Sequence, residues 1–428
     1  MLTCRSVMLA IGAALALTAT AACGGNGSSN SSGKPEKITI WLQPEAAEWS
    51  ATVDKVNAEF KTKYGIEAVV QTQQWEDHLT KLDTALAGTK APDVVELGNT
   101  ETAKYLAAGA FADLTAHKAE FENSDTWAKG LTDSCTYEGK VSCVPYYGGS
   151  RAVIYNKSLF AKAGITDTPT SLDELYAAAD KLKAKFGSDP NFSAFYLPGR
   201  QIFAGMSFVR DYGGDIARQD KDSWRGTLDA PQAQQGLAAF KELVTKYSKA
   251  DKTGGDRTQD ATFAKGKVGM TYGLSWEIDA IIDPKRAGNP AMKDKIGAFP
   301  MPSHTPGQTM PVFLGGSDLA IPAKSRNQEW ARKWLALYTA TAPQSDLAAK
   351  GLIPNSTKLL DKVPDAAAPF AEAARKTWFT PVAENWITVE KKSILQNLQV
   401  SILTGKAGLP DATAKASKEI TEILNTRG

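Results

Sequence analysis

"KITIWLQPEAAEWSATVDKVNAEFKTKYGIEAVVQTQQW", residues 37–75, is the stretch on which the fold turns. Its first six residues are a β-type run with the composition of a buried strand. Trp49, Val53, Val56 and Phe60 then recur at helical spacing, which predicts a helix over residues 46–64 with Gly65 as its stop. "IEAVVQT" (66–72) is a second strand, followed by a helix predicted over 75–87. Further out, "DVVEL" (93–97) is a third strand, with a third helix from about residue 100. Strands alternating with helices across short loops imply a βαβαβ unit on a parallel sheet. Ligands of such sheets sit beyond the carboxyl ends of the strands. Those ends are "QPE" (43–45), "QQWED" (73–77) and "GNTET" (98–102).

A chain of 428 residues is too long for one core, so two lobes are expected. "VPYYGGSRAVIYN" (144–156) and "FLGGSDLAIP" (313–322) both set a glycine pair among β-type residues. Adjacent glycines permit a bend or crossing. Both stretches read as crossings between lobes, which makes each lobe discontinuous: residues 36–148 with 312–355, and 149–311 with 356–428. Between the crossings, Ser171 and Glu174 form a capping box ahead of "LDELYAAADKLKAKFG".

The N-terminus reads as an export signal over residues 1–22: Arg5 is its charged part, 7–17 its apolar part, and Ala19, Ala21 and Ala22 lead to Cys23. The apolar run is shorter than the roughly 20 residues that span a bilayer. Cleavage before Cys23 would leave a cysteine able to carry diacylglycerol, although Thr20 departs from the Leu, Val or Ile usual three positions earlier. Residues 23–35, rich in Gly, Ser and Asn, are a flexible tether. Cys4 leaves with the signal. Cys135 and Cys143 then remain in an oxidising compartment on either side of "TYEGKVS", a hairpin-like stretch that predicts a disulfide. No Cys or His cluster accompanies them, so no metal site is expected.

The formal net charge is +2 and drops by one when Arg5 is removed. No basic stripe or like-charge block is present, which argues against nucleic acid as a partner. Ten Trp and twelve Tyr in a near-neutral exported chain suit core packing and, where exposed, the apolar faces of sugar rings. His78, His117 and His304 stand far apart and read as surface or capping residues. HExxH, GxSxG, P-loop and dinucleotide-binding glycine patterns are all absent, and no cofactor is expected. A pair of carboxylates is all a glycoside hydrolase requires, so that activity remains the alternative.

Several segments taken in order resemble the family 1 extracellular solute-binding proteins, the sugar receptors of bacterial ABC importers. They are "NAEFKTKYGIEAVVQTQQW", "LDTALAGTKAPDVVELGN", "VPYYGGSRAVIYNKSLFAKAGI", "FAKGKVGMTYGLSWEI", "GSDLAIPAKSRNQEWARKWLALYT" and "GLIPNST". The resemblance runs from about residue 37 to the C-terminus. It implies a two-lobed, periplasmic-binding-protein-like α/β fold. Each lobe would be a mostly parallel sheet flanked by helices, and a hinge would let the two close on one oligosaccharide.

It further implies a lipid-anchored extracytoplasmic monomer that serves membrane permease subunits and a cytoplasmic ATPase. By the same resemblance Trp276, with Glu277 beside it, is the tryptophan of the second lobe, and Trp386 in "ENWITVE" a C-terminal aromatic lining the same cleft. Asn99 and Glu101 are polar ligands from the first lobe. Gln43, Trp75, Tyr147 and Arg151 join the set, and Gly315 and Gly316 are hinge glycines approaching the sugar. "QTQQW", "ELGNTE" and the Tyr-Tyr-Gly-Gly crossing look most like actinobacterial receptors for chitobiose and for α-glucosides, with a lean toward N-acetylglucosamine oligomers.

Overall fold

A computed structural model describes residues 34–88, 91–255 and 258–426. The predicted export signal, Cys23 and all but the last two residues of the tether lie outside them. The strand Lys37–Leu42 pairs in parallel with Glu67–Thr72, from Lys37 opposite Glu67 to Leu42 opposite Thr72, and also with Val94–Gly98. Between the first two lies the helix Ser50–Tyr64, stopped by Gly65 in the left-handed conformation at φ 62°. Its buried face carries Val53, Val56 and Phe60, as the spacing predicts. Residues Pro44–Trp49 wind into a 3-10 turn ahead of it.

The large sheet has six strands in the order Ile353–Pro354, Val144–Gly149, Gly315–Ala320, Val94–Gly98, Lys37–Leu42, Glu67–Thr72. A second sheet orders Ile296–Phe299, Arg151–Asn156, Val268–Leu274, Ser193–Tyr196. The parallel character expected from the sequence holds for the first three strands. Elsewhere both sheets are mixed, because strands that continue a crossing run back against their neighbours. Gly315–Ala320 is antiparallel to both Val94–Gly98 and Val144–Gly149, and Arg151–Asn156 is antiparallel to Val268–Leu274. Only Ser150 separates Val144–Gly149 in the large sheet from Arg151–Asn156 in the small one. On the return, Leu314 separates Phe313, whose strand pairs with Thr377–Trp378, from Gly315 in the large sheet.

Each sheet has its own core. Against the large one pack Trp49, Val53, Phe60, Trp334 and Tyr338. Here Trp49 donates its indole N–H to the hydroxyls of Tyr146 at 2.7 Å and Tyr338 at 3.1 Å. Against the small one pack Leu175, Leu182, Phe208, Phe240 and the C-terminal helices Ile394–Thr404 and Leu409–Leu424. The capping box forms in part. Ser171 Oγ accepts the Glu174 N–H at 3.2 Å, while the Glu174 carboxylate reaches one residue further back, to the N–H of Thr170 at 2.7 Å.

Cys135 and Cys143 are disulfide-bonded, with Cα atoms 4.9 Å apart. Between them Thr136–Tyr137 and Lys140–Val141 form the expected antiparallel hairpin, turned by Glu138 and Gly139 at positive φ. The bond fixes the entry to Val144–Gly149, the strand that carries the first crossing. Replacing both cysteines by serine should lower stability by roughly 2–3 kcal/mol, the scale of closing so short a loop. Urea unfolding is the measurement, and an unchanged midpoint would show that the bond contributes nothing.

Candidate functional site

The three parallel strands deliver their carboxyl ends to one edge of the large sheet, and polar side chains interlock there. After the first strand, Gln43 is 1% exposed and donates its backbone N–H to Glu96 Oε2 at 2.8 Å, while its own side-chain Oε1 has no hydrogen-bond partner among the described residues. Two residues on, Glu45 accepts the indole N–H of Trp75 on both carboxylate oxygens, at 2.9 and 3.0 Å. Trp75 follows the second strand and is half-buried. After the third strand, Glu101 Oε2 accepts the Gly98 N–H at 3.0 Å and meets His78 Nε2 at 2.8 Å. Asn99 joins this edge to the second crossing: its backbone N–H donates to Gly316 O and its amide to Leu314 O, both at 2.9 Å.

Glu96, 4% exposed, sits under this edge. Burial pushes its carboxyl up to about 7, outweighing the hydrogen bonds from Gln43 and Ser317, and the charge of Glu45 adds to the rise. Tyr147 also bonds to Ser317, and its hydroxyl is pushed up by burial and by the charge of Glu96.

On the other side of the crossings, Trp276 opens the helix Trp276–Ile282. It is 40% exposed, and among the described residues no other large apolar side chain is exposed. The indole lies on Gly149: a Cβ there would come within 2.4 Å of its Cη2. The neighbouring Ser275 donates its hydroxyl to Gly351 O at 3.0 Å. Glu277 is turned inward, accepting the Leu274 N–H at 2.9 Å and the Gln259 amide at 2.6 Å. Arg151, just past the first crossing, places its guanidinium 4.0 Å from the centre of the Phe203 ring, which stacks on Phe313 at the second crossing.

Gln43, Trp75, Asn99, Glu101, Tyr147 and Arg151 therefore gather at the strand ends and crossings, with Trp276 across Gly149. Trp386 departs from its expected place. It is 1% exposed within the core of the small sheet, and its indole N–H bonds to Glu390 Oε1 at 2.8 Å, one helical turn along, so neither ring face is open to a ligand. Its helix, Trp386–Lys391, nevertheless contacts Thr102–Ala107 beside Glu101, and burial with the charge of Glu101 raises the Glu390 carboxyl to about 7. The space about Gly316 is taken by protein, since a Cβ there would meet Tyr147 O at 2.0 Å. His78 is the residue that sequence reasoning missed. It is buried rather than superficial, and its position one turn before Leu82 on the predicted helix was the available signal.

Two α/β sheets joined where the chain crosses between them, with polar and aromatic side chains collected at the strand ends, define a two-lobed solute-binding architecture. The profile of the bacterial extracellular solute-binding proteins matches residues 43–345, and the chain belongs to that family. It is 32% identical over 99% of its length to the diacetylchitobiose binding protein DasA of Streptomyces coelicolor, covering 98% of that protein. Among solved structures it is similar to the sugar-binding protein MalE of Xanthomonas citri, with a TM-score of 0.80 and 20% identity over 91% of this chain and 97% of that one. It is also similar to the GacH receptor of Streptomyces glaucescens, with a TM-score of 0.72 and 22% identity over 92% and 99%. These structures have the periplasmic-binding-protein-like fold expected from the sequence. The chain is an extracytoplasmic binding protein and not an enzyme, and the hydrolase alternative finds no support. Among the described residues no helix is long and apolar enough to cross a membrane.

Glu96 makes the edge sensitive to pH in a defined direction. Its carboxyl titrates near 7 in the fold against 4.5 for the free group, so the folded chain keeps a proton that the unfolded chain releases. The group favours folding most at pH 4.5 and below, and that contribution declines as the pH rises toward 7. Glu96→Gln should remove this slope and stabilise the protein by on the order of 3 kcal/mol at pH 8 relative to pH 5. Paired urea titrations at the two pH values measure it, and an unaltered slope would mean that Glu96 is ionised in the fold.

Proposed function

We propose that this chain is the capture component of a sugar ABC importer, closing on an oligosaccharide between residues 36–148 with 312–355 and residues 149–311 with 356–428. It then delivers the sugar to membrane permease subunits driven by a cytoplasmic ATPase. The observation that carries this reading is Trp276, an exposed indole seated on the crossing at Gly149 next to strand ends rich in carboxylates and amides. A sugar ring offers both faces of that chemistry: C–H surface for an indole, and hydroxyls for charge-assisted hydrogen bonds. Trp276 is the platform, Trp75 a second aromatic contact, and Glu101, Asn99 and Gln43 the polar contacts. Tyr147, Arg151, Glu277 and the Gly315–Gly316 pair shape the wall behind them. The likeness to a diacetylchitobiose binder supports N-acetylglucosamine oligomers ahead of α-glucosides.

The same reading places the protein as a monomer on the outer face of the membrane, tethered through a lipid on Cys23. A melting screen with chito- and malto-oligosaccharides tests the ligand class, because a ligand of the native state raises stability by RT ln(1 + [L]/Kd). Trp276→Ala should weaken binding of the sugar so identified by roughly 1–3 kcal/mol, the value of a buried aromatic contact. Undiminished affinity in that variant would move the site elsewhere. Cys23→Ala should release the protein from the membrane into the surrounding fluid. Fractionation followed by immunoblotting decides it, and continued membrane retention of the variant would refute the anchor.

A further inference from the structure

His78 begins the helix His78–Ala87 and is 5% exposed. Its Nδ1 lies 2.8 Å from the carbonyl oxygen of Trp75, and its Nε2 lies 2.8 Å from Glu101 Oε2. The carbonyl has no proton to give, and Oε2 already accepts the Gly98 N–H at 3.0 Å. Both ring nitrogens face acceptors, and an imidazole can donate to two acceptors only when it carries two protons. The groups it holds belong to different loops. Trp75 follows the second strand and Glu101 the third. Trp75 also stands edge-on to the imidazole, with ring centres 5.1 Å apart, and donates to Glu45 after the first strand. One ring thus ties together the ends of all three parallel strands.

We propose that His78, carrying both ring protons, is a positioning residue that holds Trp75 and Glu101 in the arrangement that captures ligand. Capture therefore weakens as rising pH removes one of those protons. The proposal rests on the reading of Trp75 and Glu101 as ligand contacts. A ring with a single proton can donate to the Trp75 carbonyl or to Glu101, not to both, so one of the two loops is released.

Glu101, facing the ring from the loop before Thr102–Ala107, and Asp77, on its own loop, favour the cation; Glu96 faces it from the third strand with a carboxyl that titrates near 7. Glu45 is reached through Trp75, and Glu390 lies beyond Glu101 on the helix Trp386–Lys391. The lysines nearby are occupied: Lys81 pairs with Asp77 at 3.0 Å and Lys104 with Asp83 at 2.9 Å. Burial draws the His78 pKa down, but the hydrogen bond and charge of Glu101, the Trp75 carbonyl and Asp77 together leave it above the ordinary 6.5. A histidine raised in this way stabilises the fold fully below pH 6.5, and the contribution is lost as pH rises through the folded value. Apparent affinity falls with the fraction of molecules that keep the latch closed.

The test follows the full chain, labelled with 15N, from pH 5.5 to 9. The His78 ring nitrogens should stay doubly protonated to higher pH than a free imidazole, and the Trp75 indole N–H resonance should shift with the same midpoint. Calorimetric titration with N,N′-diacetylchitobiose and with maltotriose should then show binding about tenfold weaker at pH 9 than at pH 6. His78→Gln, which cannot become a cation, should flatten that dependence. A ring that is neutral at pH 6, or wild-type affinity that is level across the range, overturns the proposal, and neither result requires the variant to fold. If neither sugar binds at any pH while His78 and Trp75 titrate together, the latch stands and the ligand assignment falls.

Discussion

A Cβ on Gly316 would lie 2.0 Å from the Tyr147 carbonyl oxygen, so the strands Val144–Gly149 and Gly315–Ala320 can run together as they do only with glycine there. Gly315 pairs with Gly149 and Gly316 with Gly148 at the register positions where Val144–Gly149 leaves the large sheet and Gly315–Ala320 enters it. On the way out, the passage from the large sheet to the second is confined to Ser150, and on the return Leu314 alone separates Val312–Phe313 from the large sheet. Part of the candidate site is referred to these crossings. Asn99 bonds to the backbone of Gly316 and Leu314, Trp276 lies on Gly149, and Arg151 stacks over Phe203, which in turn stacks on Phe313. In hinged binding proteins motion is restricted to a few residues. A crossing as narrow as Ser150 suits such motion.

The α/β architecture was legible because its first strands and helix obey simple periodicities. Trp49, Val53, Val56 and Phe60 are buried together, and Gly65 stops the helix where a left-handed residue is needed. Element edges were less legible, for local reasons. The helix expected from residue 75 begins at His78, because the backbone from Trp75 to Asp77 is used to seat the indole against Glu45 and to offer its carbonyl to His78. Strand direction in the second sheet could not be read at all. It depends on where the chain re-enters after Ser150, which is a property of the crossing and not of any strand's composition.

For the candidate site, the rule that ligands gather at strand ends pointed to these loops, and the family resemblance named residues within them. What neither could supply was which side chains face outward. Trp276 and Trp386 both open short helices and both carry an acidic residue within one turn. In one case the acid, Glu277, turns back to cap its own loop and the indole is left exposed. In the other, Glu390 accepts the indole N–H and the ring is drawn into the core. The acid stands one residue after the indole in the first case and four residues after it in the second, and only packing reveals which way the ring turns. His78 escaped notice for a related reason: an isolated histidine has no motif, and its significance lies in two partners three and twenty-three residues away.

The two sides of the proposed cleft are prepared differently, and that difference bears on how closure is driven. At the strand ends nearly every polar group is already held: Trp75 by Glu45, Glu101 by His78 and Gly98, Asn99 by the second crossing. A ligand meeting this surface orders little that is not already ordered, and preorganisation of that kind preserves binding energy. Trp276, by contrast, offers a large apolar face to solvent. Covering that face removes apolar surface from water, but only a ligand that simultaneously engages the strand ends gains from both. Since a ligand shifts a conformational equilibrium only through its differential affinity for the two states, a sugar too short to touch both sides would bind without closing. Transport would then select for length as well as for chemistry, through the separation between an indole on one side and a latched carboxylate on the other.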